Sequence, residues 1–278
     1  MTARVDRIAL LAVPGLAYLA VVYALPLLLL LAKSVRTPDG LSLAEYGAFF
    51  ADDYNMGVLA RTLRVAGLTT LLALLIAYPT AFAFAMARAR GPWLTVFLVA
   101  MVLPMSLGVV VKAFAWSILF RANGFLNTAL QGLGIITEPM RMLFTETALV
   151  VGAANVFLPF MVLPIYAVVR QMDSRLPEAA ASLGASPWFR FFHVTLPLTL
   201  PGVVAGSAFT FSMAISMYVI PSLIVGERQQ TLSMLIARSF LYLRNEPLGS
   251  TISAVLLAIA ILVVVSSSVL ARRLGARQ

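Results

Sequence analysis

RQMDSRLPEAAASLGASPWFRFFHVTLPLTLP, residues 170–201, is the longest polar-flecked interruption in the second half of the chain. It lies between two long apolar runs and reads as two short helices with a break. Ser174 is placed to cap the first helix, Pro177 and Glu178 suit its opening turn, and the alanines that follow favour its continuation. Gly184 supplies a residue that ends a helix at positive φ without steric cost. Ser186 followed by Pro187 reads as an N-cap with proline in the first turn of a second helix. Pro197 and Pro201 disfavour helical geometry just before them, so that helix is expected to stop near Leu196.

Outward from this stretch the chain is a series of apolar runs. They cover about residues 8–32, 62–87, 93–120, 146–169, 202–225 and 248–271, with polar loops at 33–61, 121–145 and 226–247 and a basic turn at 88–92. Each run is long enough to cross a hydrocarbon layer of about 30 Å at about 1.5 Å per residue. The composition agrees: 61% of residues are hydrophobic and 11% charged, with a mean hydropathy of +0.96. The expected fold is therefore an all-α transmembrane bundle of six helices, with residues 1–278 forming a single membrane domain. A soluble helix bundle does not need this repeated length.

The formal charge of +9 comes from basic residues scattered at the ends of the runs. That pattern suits the lipid bilayer and its headgroups, not a nucleic acid. With no cysteine, disulfides and thiolate metal sites are excluded. The first run is too long for a signal peptide's apolar core, and no small-residue cleavage pattern follows it, so it is expected to remain as an anchor. Of 20 basic residues, ten fall on the side of residues 170–201, nine on the opposite side, and Lys112 lies within a run. Both termini fall on the side of the larger count, toward which the positive-inside rule leans as cytoplasmic without deciding it.

The spaced pattern Glu178-Ala179-Ala180, then Gly184, then Val194-x-Leu196-Pro197 resembles the EAA motif of ABC-importer permeases, EAA-x3-G-x9-I-x-LP. Val194 stands where that family prefers isoleucine. The resemblance implies a type I permease of the bacterial cytoplasmic membrane. In it, residues 170–201 are the cytoplasmic coupling loop docking on an ATPase, with Glu178, Ala179, Ala180, Gly184, Leu196 and Pro197 as the coupling residues. Asn123-Gly-Phe-Leu-Asn127, Leu158-Pro-Phe-Met-Val-Leu-Pro-Ile-Tyr166 and Leu183-Gly-Ala-Ser186 are similar to the spermidine/putrescine subgroup. The family implies an ATPase dimer carrying ATP and Mg, a second permease (a paralogue) and an external substrate-binding protein. It implies no cofactor on this chain and no catalysis by it.

The residues themselves carry no Gly-rich phosphate loop, no HExxH and no carboxylate pair inside a run, so ATP chemistry has no place here. His193 is the single histidine and has no metal partners in sequence. Asn155, Ser212, Ser216 and Tyr218 form the best polar lining of a substrate pathway, with Ser212 and Ser216 on one helix face. Trp116 offers an aromatic face to a cation. Lys112, about 28 Å beyond Trp93 on a straight helix, is expected near the outer interface. A polyamine-like cargo follows from the resemblance. An anionic cargo suited to Lys112 (a phosphonate or metal chelate) stays open as the alternative. A stand-alone secondary transporter is the remaining class, against which stands the lack of Asp and Glu inside the runs.

Overall fold

The structure, a computed structural model, describes residues 7–37, 40–86, 92–173 and 175–275. Helix α1 (Arg7–Leu19) passes through a π-helical turn (Ala20–Ala24) into α2 (Leu25–Val35). A two-residue antiparallel hairpin, β1 (Arg36–Thr37) with β2 (Gly40–Leu41), leads to α3 (Ala44–Ala51) and α4 (Asp53–Met86). Next come α5 (Pro92–Ser106), α6 (Val109–Leu119), α7 (Phe125–Gly132) and α8 (Glu146–Gln171). Then α9 (Arg175–Ser182), α10 (Pro187–Arg190) and a second π turn (Phe191–Thr195) precede α11 (Leu196–Ser216) and α12 (Val219–Ile224). The chain ends with α13 (Leu232–Leu241) and α14 (Glu246–Gly275).

Among the described residues, five helical stretches are long and apolar enough to span a membrane, and α5 with α6 makes a sixth if counted as one span. The all-α, six-span expectation holds in this form, with three corrections. The second span begins at Asp53, not near residue 62, because the polar first turns of α4 continue the helix into the region read as loop. The third is not straight: α5 and α6 meet at 98°. Gly108 takes φ −57° and ψ 143°, an extended geometry that ends one helix and starts the next. Lys112 lies beyond this bend, so the depth inferred for it from Trp93 along a straight helix does not apply.

The third correction concerns the fifth span, which runs from Pro187 to Ser216 and not from 202 to 225. Neither Pro197 nor Pro201 stops it. Pro197 falls in the first turn of α11, directly after the π turn, where the Leu196 N–H bonds back five residues to the Phe191 carbonyl. The changed register absorbs the missing donor, and in a membrane the neighbouring helices and lipid make a broken ladder costlier than a bent one. The helix ends instead at Met217, which turns extended at ψ 133°.

The chain falls into two compact units. The first comprises Met1–Met56 with Leu235–Leu257. In it Phe49 and Ile252 are fully buried, the Ser34 hydroxyl donates to the Leu31 carbonyl at 2.7 Å, and Lys33 pairs with Glu246 at 2.6 Å. From Val13 to Val35 the apolar length of α1 and α2 is exposed almost throughout, as befits a helix facing lipid or another subunit.

The second unit comprises Gly57–Met234 with Ala258–Gln278 and is built around α8, the most buried helix. Ala73, Ala77, Ala81 and Ala85 form a small-residue stripe down α4. It shares a core with Phe97, Met161, Val162, Ile165 and Val169. α11 lies closest to α8, because Gly202 and Gly206 bring its backbone against Pro164, Ile165 and Met161. This is how membrane helices associate when lipid supplies no hydrophobic drive: close backbones and dense packing.

Candidate functional site: the α8–α11 loop and an open face of α8

The loop after α8 is ordered by local chemistry. The Arg175 N–H donates to Asp173 Oδ1 at 2.9 Å and opens α9. The cap expected at Ser174 lies outside the described residues. Glu178 sits in the first turn of α9, where its negative charge suits the helix dipole. Gly184 takes φ +83°, while the Ala185 and Gly184 N–H groups bond to the Ala180 and Ala181 carbonyls at 3.0 and 2.9 Å. This is a Schellman stop, as the glycine's position requires. Ser186 Oγ then accepts from the Phe189 N–H at 3.2 Å and caps α10.

The structure divides the predicted coupling residues. Glu178, Ala179 and Gly184 are exposed and Ala180 half-buried on the α9 turn, while Leu196 and Pro197 begin α11. Around them stands a cluster of exposed apolar side chains that the motif did not include: Leu183 at 89%, Trp188 at 74%, and Leu176, Phe189 and Phe192 near half. Trp188 stacks on Phe192 and Phe189 on His193, with ring centroids 6.1 and 4.1 Å apart. His193 Nδ1 also faces the Phe189 carbonyl at 3.2 Å, so its role is local. Phe191 points the other way and packs edge-on against Tyr78 and Phe82 of α4. The Tyr78 hydroxyl meets Thr199 Oγ1 at 2.9 Å. These contacts fasten the loop to the helical core.

The pathway residues are only partly gathered. Trp116 Nε1 donates to Asn155 Oδ1 at 3.1 Å, which joins α6 to α8 as a pair the sequence singled out separately. Lys112 is one turn before Trp116 on α6, and its ammonium has no partner among the described residues. Ser216 bonds back to the Ser212 carbonyl at 2.9 Å, whereas Ser212 Oγ is buried without a partner among the described residues. Tyr218 is exposed beyond the end of α11. No described hydrogen bond links these three residues to Asn155.

Two polar features were missed. Arg64 grips Glu146 with two hydrogen bonds, Nε to Oε1 at 2.8 Å and Nη2 to Oε2, joining α4 to the first turn of α8. The signal was present in the sequence: opposite charges at the same end of two spans. Asn127 is fully buried, with Nδ2 donating to the Arg121 and Met140 carbonyls and Oδ1 accepting from the Met140 N–H. It pins the connection between α6 and α8. Among the described residues no three His, Cys, Asp or Glu gather as metal ligands would.

Residues 8–278 match the family described as binding-protein-dependent transport system inner membrane component. The chain is 36% identical over 249 residues to the spermidine/putrescine transport system permease protein PotB of Haemophilus influenzae, covering 86% of each chain. It is 30% identical over 239 residues to PotB of Escherichia coli, covering 84% of this chain and 86% of that one. Among solved structures it resembles a bacterial ABC transporter involved in the import of the acidic polysaccharide alginate. That match has a TM-score of 0.72 at 16% identity and covers 96% of this chain and 95% of that one. Its fold is thus that of an ABC importer permease, and the chain belongs to the family of binding-protein-dependent transport system inner membrane components.

Proposed function

We propose that this chain is the permease subunit of an ATP-driven importer for a small polyamine. Residues 1–278 act as one permease domain in the bacterial cytoplasmic membrane, with both termini and residues 170–201 in the cytoplasm. ATP and Mg are held by a partner ATPase dimer, a paralogous permease completes the pathway, and an external binding protein delivers the cargo. The observation that carries the reading is the ordered helix–Gly184–helix turn with Leu183 and Trp188 standing exposed. An apolar cluster held rigid on a polar loop is suited to docking on another subunit. Phe191, anchored against Tyr78 and Phe82, gives a push on that cluster a path into α4 and α11.

The cargo assignment is supported by the likeness to PotB. A desolvated ammonium needs an aromatic face or a carboxylate to replace its water, and Trp116, held by Asn155, offers the former. Coexpression with its importer partners and assay in vesicles tests both levels. Spermidine or putrescine uptake that requires this chain and ATP supports the reading. Transport by this chain alone, without an ATPase, refutes it.

A further inference from the structure

The groove between α4 and α8 bears on how a cationic cargo enters. It has a volume of about 720 Å³ and is lined by leucines and valines, with Arg64 and Glu146 at one end. That end is the one remote from the α8–α11 loop, since α8 runs 26 residues, about 39 Å, before reaching the loop. Thr147, Val151 and Asn155 follow at four-residue intervals, all on the open side of α8. Glu146 and Asn155 are nine residues apart, on opposite sides of α8, and Thr147 and Val151 step round the helix between them. From Thr147 to Asn155 the helix rises about 12 Å.

The two partners of the ion pair are unequal. Glu146 is 23% exposed and fixed in a first turn whose cap, Thr145 Oγ1, accepts from the Ala148 N–H. Arg64 is 62% exposed on a long side chain, free to swing toward water. A bare carboxylate beside leucines is costly, and Arg64 neutralises it at rest. An incoming ammonium can take the guanidinium's place without changing the groove's net charge.

On the reading that the cargo is a polyamine, we propose that Glu146 is the first residue of this chain to take a cargo ammonium. It does so by exchange with Arg64. The amine's chain then lies along Thr147 and Val151, directed toward the Trp116 face. Arg64 is a displaceable counter-ion, and Glu146 is the residue that selects for positive charge.

The test uses the assembled importer in proteoliposomes, with labelled spermidine delivered by its binding protein. Glu146→Gln is expected to lower uptake about tenfold, while Arg64→Gln, which loses the resting counter-ion but keeps the carboxylate, lowers it by about threefold. The charge-swapped double variant, Arg64→Glu with Glu146→Arg, keeps an ion pair but is expected to be as poor as Glu146→Gln. A swap that restores uptake, or equal losses in both single variants, makes the pair a structural strut and overturns the inference. Should the swap fail to assemble, the asymmetry of the single variants decides. Wild-type importer that carries no amine removes the cargo reading and this inference together. Wild-type amine uptake with a restored swap removes the inference alone.

Discussion

Replacing Gly202 with alanine probes the contact on which the second unit is built. A Cβ at Gly202 would stand 2.9 Å from the Pro164 carbonyl oxygen, 3.0 Å from Val168 Cγ2 and 3.1 Å from Ile165 Cα. Carbon contacts settle near 3.5–4.0 Å, so a shift of at least about 0.5 Å is needed. Two of the three atoms are backbone, and the helices themselves must part. Overpacking of this kind costs about 1–3 kcal/mol, against roughly 0.5–1 kcal/mol gained from alanine's helix preference. The net expectation is a loss of up to about 2.5 kcal/mol, centred on about 1 kcal/mol. Gly67 of α4, with no atom within 4 Å of its would-be Cβ, is the control and should gain stability on the same change. Detergent-solubilised protein titrated with a denaturing surfactant, followed by helicity, gives the comparison. If Gly202→Ala and Gly67→Ala shift the midpoint alike, close backbone approach is not what holds α8 to α11.

Glu178→Lys is expected to abolish uptake while the chain still reaches the membrane; normal coupling of ATP hydrolysis to transport would refute a docking role for α9. In this cysteine-free chain, Ala185→Cys should react with an impermeant maleimide only from the cytoplasmic side, and labelling of intact cells from outside would invert the topology. Asn127→Ala removes a buried amide with three hydrogen bonds, costs about 2–3 kcal/mol, and should make residues 121–142 protease-sensitive; unchanged proteolysis would show the loop is held by other contacts.

The turn at Gly184 and the cap at Ser186 were legible because both rest on rules one or two residues long: a positive φ needs glycine, and a helix start needs a side-chain acceptor. The 98° bend before Lys112 was not legible. Ser106, Leu107 and Gly108 are unremarkable within an apolar run, and only packing decides whether a membrane helix breaks there. Pro197 misled in the opposite direction, since the preference of the residue before a proline is weaker than the cost of an open backbone in lipid. Of the Arg64–Glu146 pair only opposite charges at the same end of two spans were legible; that the two, 82 residues apart, meet is decided by the packing of α4 on α8. The exposed cluster at Leu183, Trp188 and Phe192 was visible as residues but not as a surface.

The continuous helix from Pro187 to Ser216 has a mechanical meaning. Its 30 residues make a rod of about 45 Å, and the glycine contacts with α8 fall about 22–28 Å from the end that carries Trp188. Those contacts are a fulcrum near the middle, with arms of comparable length. A sideways displacement imposed at Trp188 therefore emerges at Ser216 with the opposite sense and nearly the same size. The π turn at Phe191–Thr195 is the compliant part of the lever, close to the Trp188 end, so what it absorbs is lost before the fulcrum. For a given displacement at Trp188, stiffening that turn lengthens the stroke at Ser216, and loosening it shortens that stroke.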